Sequence, residues 1–164
     1  MNAMMRAAVL EGIEHIAVRD VPLPTVGAND VLVRIESVGV CGSDVHYYHE
    51  GRIGDFVVEQ PLILGHEAAG TIVSVGSAVS PGRVGQRVTI EPQRPCRQCD
   101  QCRAGRYNLC PDIQFYATPP IDGAFAQFQT IATDFAYDLP DQISMAAGAL
   151  CEPLSVGVAA ARKA

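Results

Sequence analysis

A mainly β fold assembled from many short strands is what this sequence predicts, and three observations predict it. Short apolar runs recur along the chain. Within them apolar and polar residues alternate, as in Val31 to Val40 (VLVRIESVGV), where Val31, Val33 and Ile35 share one face and Arg34 and Glu36 the other. Fifteen glycines and eleven prolines are spread between the runs, where they punctuate turns. Such a pattern suggests a small barrel or sandwich.

The elements follow in order. Arg6–Leu10 and Ile13–Val18 read as strands, then Val31–Val40, Ala68–Val75, Arg87–Ile90 and Ala124–Ile131. Helical signals are few. Asp44 to His49 suits one or two turns after Ser43, read as the N-cap. A final helix is predicted where Pro153 fits a first turn. Leu154, Val158 and Ala161 share one of its faces, and Arg162 and Lys163 suit its C-terminal dipole. The chain stops inside or just after this helix and contains no G-x-G-x-x-G. It therefore reads as part of a longer protein, or as one lacking a partner domain.

A chain of 164 residues is one domain by size and long enough to bury a core. Hydrophobic residues make up 48% and charged residues 18%, an ordinary globular composition. A net charge of −6 argues against nucleic acid or an anionic membrane as partner. No apolar run approaches the roughly 18 residues that span a bilayer. MNAMMRAAVLEG lacks the apolar core and cleavage site of a leader, so the expected location is cytoplasmic. Six cysteines in that compartment point away from a disulfide framework.

Four of the six fall in one lobe, residues 93–112, as Cys96-x-x-Cys99-x-x-Cys102 and then, after seven intervening residues, Cys110. Structural zinc takes four soft ligands at about 2.3 Å, and tight C-x-x-C turns supply them from a short loop. The surrounding QRPCRQCDQCRAGRYNLC is too polar to fold on apolar contacts, so a metal would hold it together. A redox dithiol or an iron–sulfur cluster is the alternative reading of the same spacing.

Cys41, His66 and Glu67 form a second candidate set. Singly, a buried cysteine or histidine is more often plain core. Here Cys41 ends a strand and enters Gly42-Ser43-Asp44, and His66-Glu67 follows Leu-Ile-Leu-Gly65. Residues at strand ends beside glycine turns can face a cleft. A thiolate, an imidazole and a carboxylate leave a fourth zinc position open, as catalytic sites do. Glu152 is a further carboxylate that could lie near this metal.

The runs VGVCGSDVHYY, LGHEAAG, C-x-x-C-x-x-C-x7-C, GRYNLC, ATPPIDGAFA and CEPLSVG together resemble the zinc-containing medium-chain dehydrogenases, nearest in their sorbitol and xylitol dehydrogenase branch. The likeness runs from Met5 through Lys163. It implies a GroES-like, distorted β-barrel over residues 1–152, with residues 153–164 starting a helix that leads to a Rossmann-type domain outside this sequence. It implies two zinc ions per chain: a catalytic one on Cys41, His66 and Glu67, and a structural one on Cys96, Cys99, Cys102 and Cys110. Glu152 matches the carboxylate that hydrogen-bonds the catalytic zinc's water. Cys151, beside it, is expected to be packing. Ser43 and His46 match a proton relay, and Tyr47, Ile53, Phe115 and Thr118 match pocket-lining positions. The implied activity is oxidation of a polyol's secondary alcohol to the ketose with NAD, in a homo-oligomer (tetramer or dimer) of the full-length enzyme. Threonine and sugar dehydrogenases of the same superfamily fit part of the pattern. A non-catalytic zinc-binding module of this fold is the reading from a different class.

Overall fold

The computed structural model describes residues 3–164 of the chain. Strand β1 (Met4–Gly12) turns back antiparallel on β2 (His15–Pro22), and β3 (Asp30–Val38) starts a second sheet. Helix α1 (Gly42–Glu50) leads into a small hairpin, β4 (Arg52–Ile53) with β5 (Phe56–Val57). Then come β6 (Leu62–Ile63), β7 (Ala68–Val75), β8 (Arg87–Ile90) and β9 (Gln93–Arg94). The cysteine lobe carries the short helix α2 (Asp100–Arg103) and returns through β10 (Gln114–Phe115). Strands β11 (Phe128–Ala132) and β12 (Ala136–Asp138) precede helices α3 (Met145–Ala149) and α4 (Cys151–Ala161).

The strands assemble into a five-stranded sheet, β11-β3-β7-β8-β12, and a three-stranded one, β2-β1-β6. All named pairs are antiparallel. The larger sheet curls into a half-barrel. Two register shifts in the β3–β7 pair assist that curl, since a bulge bends its strand and adds local twist. Val31 and Val33 from β3, Ile72 from β7, Val88 and Ile90 from β8 and Ile131 from β11 fill the main core, each almost fully buried. The fold is thus mainly β with a few short helices, as the strand pattern predicts, and its curled sheet agrees with the barrel that the resemblance implies.

Four local expectations need correction. The second strand begins at His15 rather than Ile13, because Ile13 and Glu14 form the hairpin turn and Glu14 adopts a positive φ of 58°. Residues 124–127 are not part of β11. They bridge the sheets instead, with Ala124 and Phe125 donating to Gly65 and Leu64 and Gln127 donating to Arg6. The cap of α1 is Cys41, not Ser43: the Asp44 carboxylate at the third helical position accepts from the Cys41 N–H at 3.0 Å. Cys151 is exposed rather than packed, because no residue of α4 is buried. The five-residue helix α3 lacked a periodic signal in MAAGA. Its Ser144 cap accepts from the Ala147 N–H at 3.1 Å.

The cysteine lobe is tied to the barrel by two arginines. Arg94 donates to Asp30 at 2.8 Å and to the Thr130 carbonyl. Arg97 forms a bidentate pair with Asp134, both bonds 2.7 Å, and its guanidinium lies over the Phe135 ring. That partner holds the Asp134 carboxyl below its ordinary value. A depressed folded-state pKa stabilises above the unfolded value near 3.9, and the gain is lost as pH falls through the folded one. Because both groups are half exposed, Asp134→Ala should cost at most about 1 kcal/mol at neutral pH. The cost should vanish in acid once both states are protonated. Denaturant melts at two pH values check this.

Candidate metal centre and substrate pocket

Two donor clusters stand apart in the structure, and they are the two candidate sets named from the sequence. Cys96, Cys99, Cys102 and Cys110 bring their four sulfurs within 4.8 Å of one another. Backbone N–H groups point at these sulfurs: Cys96 donates to Cys110 Sγ at 3.3 Å and Cys99 to Cys96 Sγ at 3.4 Å. Donation from Gln98 and Cys99 holds the Cys96 thiol down at about 7. Desolvation and the neighbouring sulfurs push Cys102 up to about 12. Four sulfurs so close share their protons as a set, and a soft cation that replaces the protons relieves their mutual repulsion. All six cysteines are free thiols, so no disulfide competes for this set. The donor chemistry fits a closed zinc site.

In the second cluster, Cys41, His66 and Glu67 place one sulfur, one ring nitrogen and one carboxylate oxygen within 4.8 Å of one another. Zinc bonds of about 2.0–2.3 Å put tetrahedral donors roughly 3.5 Å apart, so modest side-chain adjustment lets one ion reach all three. His66 and Glu67 are 6% and 7% exposed. His66 Nδ1 is buried without a hydrogen-bond partner, and the nearest acid, Asp44 Oδ1, lies 3.8 Å away. Three donors leave a fourth position open.

The backbone explains why these residues converge. Gly39 donates to the Glu67 carbonyl at 2.8 Å, which places the exit of β3 beside the entry of β7. A Cβ on Gly39 would overlap the Glu67 carboxylate, so glycine is what leaves room for that ligand. Gly65 takes φ +87° and passes under the Phe125 ring, where a side chain would collide. Residues 123–125 hydrogen-bond the 63–65 backbone from one side. From the other, Asp44 Oδ1 accepts from the Gly65 N–H at 2.9 Å. His66 therefore rides on a segment clamped on both flanks. We expect Gly39→Ala to displace Glu67 and empty this site at a stability loss of about 1–3 kcal/mol. Metal content falling by one ion per chain in a still-folded variant would bear this out; an unchanged content would refute it.

Beside the donors lies a cavity of about 250 Å³, lined by Ser43, Tyr47, Ile53, Phe56, His66 and the stretch from Phe115 to Thr118. The four pocket positions implied by the resemblance, Tyr47, Ile53, Phe115 and Thr118, all reach it, as does Ser43. Phe115 packs against His66 with ring centroids 5.5 Å apart. Burial raises the Tyr47 hydroxyl above its ordinary value, and contact with Thr118 partly opposes this, so Tyr47 stays a neutral donor. His46 does not line the cavity. It sits exposed on α1, one turn beyond Ser43. Glu152 lines a second cavity, of about 350 Å³, that shares Phe115 as a wall. Burial raises its carboxyl, His66 opposes that and Glu67 adds to it, so Glu152 lies within the electrostatic reach of the donors.

Three residues of this site escaped the sequence reading. Asp44 was read only as the start of a helix, yet it is 2% exposed and joins the Cys41 turn to the His66 segment. A capping-box pattern, an acid three residues after the cap, is the signal that finds it. Phe56 and Gly39 gave no local signal, since what they do depends on the hairpin β4–β5 and on the β3–β7 pairing.

A mainly β barrel bearing a four-cysteine cluster and a mixed-donor cluster beside a pocket defines the class, a GroES-like domain. The chain belongs to the alcohol dehydrogenase GroES-like domain family, whose model matches residues 27–141. Among known proteins it is similar to the sorbitol dehydrogenase of Bacillus subtilis (strain 168), 50% identical over 159 residues that cover 97% of this chain and 45% of that protein. It is 52% identical over 157 residues to a protein of Neosartorya fischeri named as a D-xylulose reductase A, covering 95% and 44%. The solved L-idonate 5-dehydrogenase of Escherichia coli K-12 MG1655 superimposes with a TM-score of 0.88 at 32% identity, covering 100% and 48%. The chain spans about half the length of the curated relatives it matches. No helix among the described residues is long and apolar enough to cross a membrane.

Proposed function

We propose that this chain is the catalytic domain of a zinc- and NAD-dependent polyol dehydrogenase, which oxidises a secondary hydroxyl of a sugar alcohol such as sorbitol or xylitol to the ketose. The observation that carries the reading is the open three-donor cluster of Cys41, His66 and Glu67 on the wall of a small, hydroxyl-lined pocket. Its relatives' names, a sorbitol dehydrogenase and a probable D-xylulose reductase, support that substrate class. In this reading each chain carries two zinc ions, works in the cytoplasm as a homo-oligomer, and receives NAD on a further Rossmann-type domain of the kind that the longer relatives have room for.

Held by Cys41, His66 and Glu67, zinc would supply Lewis acidity that lowers the pKa of a substrate hydroxyl, and NAD would accept the hydride. The chain's own residues do the rest. Ser43 accepts the hydroxyl proton in the pocket and passes it outward. His46, exposed on the next turn of α1, delivers it to solvent. The Tyr47 and Thr118 hydroxyls orient the other hydroxyls of the chain-like substrate. Ile53 and Phe115 close the cavity against water. Glu152, held protonation-prone by burial, faces the donors from α4 and would hydrogen-bond the water in the open position.

Elemental analysis of the purified protein tests the metal assignment. About two zinc ions per chain, falling to about one in Cys41→Ser, is the expected result. About one ion in both proteins would leave only the cysteine lobe loaded and would count against a dehydrogenase site.

A further inference from the structure

Outside the candidate pocket, a groove of about 380 Å³ runs between the β4–β5 hairpin and the 119–120 prolines. Its walls include Asp55, Phe56, Glu59, Gln60, Pro119 and Pro120. Phe56 also lines the inner pocket, and Thr118 of that pocket is followed directly by Pro119 of the groove. The two cavities therefore meet at one aromatic ring and one peptide. Phe56 is 55% exposed, a large apolar surface left open at the mouth of a site that faces polar substrates.

The chemistry of these walls selects an occupant. An aromatic ring and two prolines give the groove apolar walls, while two carboxylates and an amide stand exposed beside them. An acyclic polyol has no flat face to lay on such walls. A pyranose ring has one: its C–H face stacks on an aromatic surface, and its outward hydroxyls donate to carboxylate and amide oxygens. The groove, at about 380 Å³, is larger than the inner cavity of about 250 Å³ and is of the size that binds small ligands.

We propose that the groove is a second subsite that holds a sugar ring joined to the far end of the polyol, so that the protein accepts glycosylated sugar alcohols as well as simple ones. This rests on the polyol reading of the inner pocket. The reacting carbinol stays at the donor cluster, the alditol passes Phe56, and the ring lies on Phe56, Pro119 and Pro120 with its hydroxyls on Asp55, Glu59 and Gln60.

Calorimetric titration of the zinc-loaded protein with sorbitol and with isomaltitol, which carries a glucosyl ring on the terminal O6 of sorbitol, tests it. Isomaltitol should bind about tenfold more tightly than sorbitol, the gain expected from a stacked ring and two or three added hydrogen bonds. An Asp55→Ala, Glu59→Ala double variant, which removes both acceptors, should lose most of that gain and keep its sorbitol affinity. Phe56→Ala, which opens both cavities, should weaken both ligands. Equal affinities in the unaltered protein, or a gain that survives the double variant, would overturn the subsite and leave the polyol reading standing. Binding of neither compound would overturn the polyol reading and the subsite with it.

Discussion

Cys110→Ser will cost the protein one metal ion and the order of its cysteine lobe. Cys110 is the buried member of the four, 4% exposed, and its sulfur accepts from the Cys96 N–H. Beyond the Arg94 and Arg97 ties to the barrel, the lobe buries little of its own, since α2 has no buried residue and the 3-10 turn Tyr107–Leu109 has none. Metal binding to such loops is folding free energy, on the order of 10 kcal/mol in small zinc domains. Even a fraction of that, felt by a chain of this size, lowers the melting temperature by about 10 °C or more. The barrel core lies outside the lobe and should keep its amide protection. Hydrogen exchange read residue by residue, with a thermal melt, decides the matter. Unaltered protection over residues 96–110 after the substitution would show that the lobe needs no metal.

Asp44→Asn will weaken the open site without touching the lobe. The two Asp44 oxygens accept from the Cys41 and Gly65 N–H groups, so both neighbours of the carboxyl are donors. An amide offers one acceptor and turns its NH₂ toward the other N–H. One buried donor is then unsatisfied, at a cost of about 1–3 kcal/mol. The same oxygen that holds Gly65 is the acid nearest His66, at 3.8 Å. Acids behind a ligating imidazole fix its orientation and raise its basicity, and losing one weakens metal affinity roughly 10- to 100-fold. Chelator competition should therefore show one of two ions loosened by that factor while the other is unchanged. Equal retention of both would assign Asp44 a purely structural part.

The β-rich fold was legible because its strands obey the period-2 rule where one face is buried. Ala68–Val75 and Arg87–Ile90 match their strands at both ends. The run from Ala124 is apolar for another reason. It packs Ala124 and Phe125 against Leu64 and Gly65 as a bridge between sheets, a tertiary duty that imitates a strand in composition. Both donor clusters were legible for different reasons. The lobe is written in local spacing, whereas Cys41, His66 and Glu67 were found only by their family-like context and their positions at glycine turns. Phe56 and Gly39 were illegible, because what they do is set by chain segments that meet only in three dimensions.

The clamping of the Ile63–His66 segment also sets an order of events. Its hydrogen bonds reach Asp122, 59 residues away, and Asp44, 21 residues away. The lobe closes over 14 residues, from Cys96 to Cys110. Short loops close early and at small entropic cost, while distant pairings wait on the barrel. On the two-ion reading, a chain leaving the ribosome would trap its first ion in the lobe before β11 and β12 complete the larger sheet. The second ion would wait for a finished fold, so metal in the pocket would report that folding is over.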